Sequence, residues 1–352
     1  MNKSNGITGL MRVKNDKDFI ERCVESCIGA LDELVIVYND CSDGSEDEIE
    51  RMRKQHPEKI KVYAYPYKVL GAGLTKEEYE LAKSLPDDSP QLLCNYYNFA
   101  LSKASFRYAI KIDADQIYFT DELKRWCDYC RSEKKQRFTP RVAIGCMFQI
   151  YLSVYRMLSL KLKKRLPMMP QWFIKVFSTS YDEYAKYLFA HSKACLSFSG
   201  LNILESDDER YVTFGRIGTG INILPPFNGE GDHVLFEISE NTRYEKFDMP
   251  YYNIARANRY SLIEEFKHPY RIVFMGFMWT HIAIMREGVR DKAEDEKRRN
   301  PKLFAEISRF LDMSFTEIDN KSDKEMFSLF QRILFSFVYP KSRQNLKERF
   351  SK

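Results

Sequence analysis

The chain has 352 residues, enough for one large α/β domain with appendages or for two modest domains. At 44% hydrophobic, 14% aromatic and 30% charged it carries ample core material, and a formal charge of +5 is too small to imply nucleic acid. The opening "MNKSNGITGLMRVKND" lacks the apolar run of a secretion signal, and no stretch reads as long enough to span a bilayer, so a cytoplasmic protein is expected. Eight cysteines show no framework spacing; Cys127 and Cys130 form a lone CxxC without a second pair, and reduced core thiols are expected.

In chain order, Ile7–Val13 predicts a strand. Ile20, Cys23, Val24, Cys27, Ile28 and Leu31 then make one helical apolar stripe. Leu34–Tyr38 is β-branched and apolar, as a strand covered on both faces should be. The next helix opens at "GSEDEIE", where Ser45 and Glu48 spell a capping box and Glu46, Asp47 and Glu48 suit the positive helix end. "KIKVYAY" reads as a third strand. Pro66–Pro90 reads as an inserted loop, and its Gly71–Gly73 carry no dinucleotide fingerprint. A helix at "LLCNYYNFALSKA" precedes a fourth strand, Ala109–Asp113. This alternation predicts a doubly wound, mostly parallel α/β sheet with right-handed crossovers. Ligands of such sheets bind beyond the carboxyl ends of the strands, where Arg12–Asn15, Tyr38–Asp43 and Asp113–Asp115 fall.

The second half is less regular. "RVAIGCMFQIYL" reads as a strand, and "GEGDHVLFEI" as a helix starting near Gly231. "RIVFMGFMWTHIAIM" is an apolar run followed by a charged helix. From Lys324, Met326, Phe327, Phe330, Ile333, Leu334, Phe337 and Val338 recur at helical spacing. Pro340 is expected to end that helix, before Lys341, Arg343, Lys347, Arg349 and Lys352. Two outcomes are open for this face: contact with a membrane surface beside its basic cluster, or completion of the core. The expected division is one domain over 1–286, in two parts that meet after residue 130 (1–130 and 131–286). A helical region over 287–352 follows.

Asp113 and Asp115 sit two apart, so on an extended strand their side chains point the same way. Parallel carboxylates repel unless a cation lies between them or one takes a proton. Hard oxygen donors suit Mn²⁺ or Mg²⁺.

"VIVYNDCSDGSEDEI", followed roughly seventy residues later by "IKIDADQIYF", resembles the nucleotide-sugar half of GT-A glycosyltransferases, especially glycosyltransferase family 2. Against the family's "IVDDGSTDGT", Tyr38 and Asn39 fall on the two aspartates, and Asp43, Gly44 and Ser45 on "DGT". The family's base-binding aspartate is therefore replaced, unless a one-residue slip makes Asp40 its equivalent. The resemblance implies Asn39 or Asp40 at the uracil or ribose, with Arg12, Asn15, Asp43 and Asn98 around the donor. It further implies Asp113 and Asp115 as holders of the metal on the donor diphosphate, and His281 of "WTH" as a further metal ligand. It implies inverting transfer from a UDP-sugar to a hydroxyl of a cell-surface glycan, such as lipopolysaccharide or capsule, or of its lipid-linked precursor. The family's general base follows the DxD in an "ED-x-x-L" pattern; here Asp232, with Leu235 three residues on, and Glu230 are the candidates. Asp232 equally suits a helix N-cap. "LESDDER" (Glu205, Asp207, Asp208 and Glu209) reads as a solvated loop.

Two other classes stay open. Sugar-nucleotide pyrophosphorylases share the doubly wound sheet but need a glycine-rich basic loop where this chain has "RVKNDKDF". A non-catalytic nucleotide-sugar-binding module would keep the fold without the chemistry.

Overall fold

The structure, a computed structural model, describes residues 3–132, 136–167, 170–215, 217, 226–229, 233–248, 260–324 and 327–351. It divides into two compact units, Met1–Ser132 with Leu235–Arg271, and Glu133–Val234 with Ile272–Lys352.

The first unit runs β1 (Ser4–Val13), α1 (Lys17–Cys27), β2 (Glu33–Tyr38), α2 (Ser45–Gln55), β3 (Ile60–Ala64), β4 (Ala72–Leu74), α3 (Lys76–Ser84) and α4 (Leu93–Ser102). It continues with β5 (Phe106–Asp113), β6 (Gln116–Tyr118) and α5 (Thr120–Arg131). The strands lie in the order β3-β2-β1-β5, all parallel, with β9 (His233–Glu237) antiparallel on β5. This is the doubly wound α/β sheet that the alternation predicts. Leu34, Val35, Ile36 and Val37 of β2 are all buried, and α1 buries Phe19, Ile20, Cys23, Val24 and Cys27 on the predicted stripe. β10 (Arg243–Asp248), β11 (Tyr260–Lys267) and β4 form a small antiparallel sheet.

A buried carboxylate heads β2. Glu33 accepts from Thr8 Oγ1 at 2.8 Å and from both Ser105 N and Oγ at 2.9 Å, and it pairs with Lys61. Burial alone would raise its pKa, but these donors outweigh burial and hold it below the usual range.

Four local expectations are corrected in this unit. Ser45 and Glu48 do not form a capping box: Gly44, at φ 88°, is the N-cap, and Asp43 Oδ1 accepts from Ser45 N at 2.9 Å. Asp43 reaches that amide first, as an Asx turn. The inserted segment carries β4 and a helix, α3, with a full Thr75–Glu78 capping box. β5 ends at Asp113, and Ala114 and Asp115 form a turn before β6, so the two aspartates are not successive outward positions of one strand. "HVLFE" is strand β9 rather than a helix. Its Val234, Leu235 and Phe236 are all buried, and three consecutive buried residues suit a sheet better than one helix face.

The second unit contains β7 (Ala194–Ser206), β8 (Glu209–Thr213), β12 (Arg271–His281) and β13 (Phe304–Glu306), ordered β13-β8-β7 with β12 paired to β7. Its helices are α6 (Pro140–Lys161), α7 (Gln171–Ala190), α8 (Arg290–Arg299), α9 (Ile307–Asp312), α10 (Phe315–Lys321) and α11 (Leu329–Phe350).

The stretch expected as a strand, "RVAIGCMFQIYL", is helix α6. Thr139 Oγ1 accepts from Val142 N at 3.3 Å and Pro140 occupies the first turn, while Val142, Gly145, Phe148, Tyr155 and Ser159 are buried at helical spacing. Gly145 allows α6 to lie against α7, since a Cβ there would sit 2.1 Å from Ser180 O. By length and composition α6 is also long and apolar enough to cross a membrane, which corrects the sequence reading.

The C-terminal face completes a core. α11 continues through Pro340 to Phe350 and buries Ile333, Phe335, Phe337, Val338 and Tyr339. The Phe337 ring lies 5.0 Å from Phe148 and 5.3 Å from Tyr181. Its basic residues are engaged as well: Lys341 pairs with Asp182, Arg343 Nε donates to Leu311 O at 2.7 Å, and Lys347 pairs with Asp312 at 2.6 Å. The membrane-facing alternative for this helix therefore falls, because its aromatic face already has partners in its own unit.

Candidate active site

The strand order turns back between β1 and β5, and the crevice of a doubly wound sheet opens at the carboxyl ends of such a pair. Arg12 and Asp113 are register partners there. Arg12 Nη2 donates to Asp113 Oδ1 at 3.0 Å, and Lys111 Nζ stands 3.4 Å from Asp113 Oδ2. Each cation's side chain is only 6% exposed. The Tyr97 ring of α4 covers the cluster, with Arg12 Cζ 3.5 Å and Lys111 Nζ 5.6 Å from its centroid. Burial disfavours the charge on Arg12, but Tyr97, Asp113, Tyr244 and Glu264 outweigh it and the pKa rises. Arg12 stays charged.

Lys111 was missing from the candidates. Its signal was legible: a lysine inside the apolar strand "YAIKID" must find a compensating partner, and two residues on is the nearest same-face position.

The end of β2 holds the base-site candidates. Asn39 is buried, and its Nδ2 donates to Tyr65 O at 2.8 Å and Tyr67 O at 2.6 Å. Its Oδ1 is a buried acceptor with no partner among the described residues. Such an atom carries a desolvation cost that a ligand N–H would offset. Asp40, at φ 48°, is exposed and pairs with Lys14 at 3.1 Å. Asn15, at φ 57°, accepts from Ser42 N at 2.8 Å. The loops after β1 and β2 thus each use a left-handed residue of the type that best tolerates one.

Asp43 and Asn98 have structural employment. Asp43 Oδ2 accepts from Lys17 N at 3.0 Å, tying the β2–α2 loop to the start of α1. Burial opposes its charge, but bonds from Ser45 and Lys17 hold its pKa low. Asn98 clamps β10, with Nδ2 donating to Tyr244 O and Oδ1 accepting from Tyr244 N, both at 2.8 Å. Cys127 and Cys130 lie on the buried face of α5, and burial pushes the Cys127 thiol up to about 12. Asp115 is partly exposed in its turn. His281 belongs to the second unit, where Nδ1 donates to Asn202 Oδ1 at 2.7 Å. Asp232 and Glu230 lie outside the described residues.

Among the described residues no three His, Cys, Asp or Glu side chains converge as a metal cage. The donor chemistry still fits Mg²⁺ or Mn²⁺, which bind through one or two carboxylates and take substrate phosphate and water as their other ligands. Asp115 is the principal candidate, since Asp113 shares its two oxygens with Arg12 and Lys111.

Residues 4–144 match the family model described as Beta-1,4-N-acetylgalactosaminyltransferase (CgtA). That segment is similar to a glycosyltransferase family over part of the chain. No curated protein matches the chain. Among solved structures, the mannosyltransferase PcManGT from Pyrobaculum calidifontis, in complex with GDP-Man and Mn²⁺, is similar at 19% identity over 35% of this chain and 33% of that one, with a TM-score of 0.25. Glucosyl-3-phosphoglycerate synthase from Mycobacterium tuberculosis, in complex with Mn²⁺, UDP and phosphoglyceric acid, is similar at 15% identity over 33% and 34%, with a TM-score of 0.20. The chain spans about a third of the length of these structures. The segment matched by the family model contains β1, β2 and β5, and with them the Arg12–Asp113–Lys111 cluster.

Proposed function

We propose that the chain transfers a sugar from a UDP-sugar to a hydroxyl of a glycan acceptor, with inversion. The observation that carries this reading is the Arg12–Asp113–Lys111 cluster, its two cations buried, at the turning point of the sheet and inside the segment that matches a glycosyltransferase family.

Arg12 and Lys111 are held in place for a diphosphate, and Asn39 Oδ1 for the imide N–H of uracil. Mn²⁺ or Mg²⁺ held by Asp115, beside Asp113, would supply charge stabilisation to the departing diphosphate. Asp232 takes the proton of the acceptor hydroxyl as its oxygen bonds to the anomeric carbon, and the bond from that carbon to the UDP oxygen breaks. The family matched by residues 4–144 bears a β-1,4-N-acetylgalactosaminyl name. UDP-N-acetylgalactosamine is therefore the first donor to try, and β-transfer from an α-linked donor inverts. A cell-surface glycan, free or lipid-linked, is the acceptor class.

UDP release across a donor panel, together with UDP binding with and without Mn²⁺, tests the reading. Asp115→Asn is expected to keep the fold and lose the Mn²⁺-dependent part of UDP affinity; unchanged turnover in excess EDTA would reject the metal. Asp232→Asn is expected to lower turnover about 10²–10⁴-fold with donor affinity nearly intact. If Glu230→Gln has that effect instead, the base is Glu230. A chain that binds UDP but releases none with any donor would be a binding module.

A further inference from the structure

The helical hairpin of the second unit presents an apolar surface to solvent. On α6, Phe148 and Tyr155 face inward, while Met147, Ile150, Val154, Met157 and Leu158 recur on the opposite side. Their exposures run from 40% at Leu158 to 61% at Met147. The stripe is about 16 Å long at the rise of an α-helix. On α7, Trp172 and Val176, one turn apart, are 67% and 65% exposed. Scattered apolar residues on a surface need no explanation, but a continuous stripe along one helix does.

Charge selects the occupant. Residues 134–181 hold ten of the chain's 55 lysines and arginines and none of its 50 aspartates and glutamates, so without them the net charge would change from +5 to −5. Lys161, Lys163 and Lys164 are exposed where α6 ends, and Arg137 and Arg141 are exposed where it begins. Both ends of the apolar stripe are therefore basic. A protein partner of ordinary mixed charge does not call for forty-eight residues without an acid; a sheet of anionic headgroups over hydrocarbon does. An exposed tryptophan is the side chain that favours this boundary. Although long enough to span, α6 has its inner face against α7, where Phe148 stacks on Phe177 at 5.3 Å, so only its outer face is open to an apolar partner.

We propose that the outer face of α6, with Trp172 and Val176 of α7, docks on an anionic lipid bilayer. This does not depend on the glycosyl-transfer reading.

The test uses the full chain, sedimented with phosphatidylcholine vesicles with and without phosphatidylglycerol. Binding is expected only with phosphatidylglycerol, weakening as salt is raised. Ile150→Glu with Val154→Glu, both on the solvent side, is expected to weaken partition at least tenfold without moving the thermal midpoint. Lys161→Glu with Lys164→Glu is expected to weaken it about fivefold or more for each charge. No binding at low salt overturns the proposal, and so does binding that the Ile150/Val154 variant leaves intact. A dimer in solution that this variant dissociates, with no vesicle binding, would assign the face to a second copy of the chain. UDP release with a water-soluble acceptor is expected to be unchanged in both variants, which separates failure here from failure of the catalytic reading.

Discussion

Asp113→Asn is expected to weaken the fold by about 3–5 kcal/mol and to remove UDP binding with it. The reason is local. Asp113 gives one oxygen to Arg12 and the other to Lys111, and both cations are almost entirely buried. Asparagine keeps the shape but leaves two buried positive charges with far less to answer them. A shift of the urea midpoint at unchanged slope measures the loss. Arg12→Met should cost less, because Asp113 keeps Lys111 and the carboxylate is partly exposed. The double variant should be more stable than the sum of the singles predicts, with a coupling of about 1–3 kcal/mol. Strict additivity would mean that the two side chains do not pair. UDP affinity is then compared at a temperature where the variant is folded. If Asp113→Asn binds UDP as the parent does, the cluster is scaffold only.

The second large effect is expected in the other unit, at Asp319 of α10. Its side chain is 3% exposed and meets three cations: Arg332 grips both oxygens, Arg165 Nη1 is 3.3 Å from Oδ2, and Lys324 Nζ is 3.2 Å from Oδ1. Asp319→Ala should cost about 2–4 kcal/mol. This is less than for a fully buried pair, because the three cations keep between 22% and 49% exposure and can turn to water. Burial would raise the Asp319 pKa, but Arg332, Arg165 and Lys324 lower it below the ordinary value. A carboxylate lowered on folding contributes stability above its unfolded pKa, near 4, and loses it as pH falls through the folded value. Denaturation midpoints of the parent should therefore fall below about pH 4, and those of Asp319→Ala should fall less over the same range. Parallel profiles would show that Asp319 is not charged in the native state.

The local alphabet was enough for the first unit's frame. β1, α1, β2, α2, β3, α4 and β5 follow from apolar runs, one helical stripe and turn residues, because each depends on neighbours within a few positions. The strand-end clusters followed from the same alternation, since a parallel sheet must place its loops at the carboxyl ends. What needed the tertiary structure was partner choice. "RVAIGCMFQIYL" is as apolar and β-branched as a strand, and only the companion α7, close enough to require Gly145, makes it a helix. "HVLFE" became a strand because β5 had an open edge. Lys111 and Arg12 came together on Asp113 only when β1 and β5 lay side by side, about a hundred residues apart in sequence. The C-terminal aromatic face and the aliphatic outer face of α6 are both apolar stripes along a helix. The first packs on Phe148 and Tyr181, and the second stays exposed at Met147, Ile150, Val154 and Met157; the sequence marked only the C-terminal one as a helix, and packing decided both the helical state of α6 and which face remained exposed.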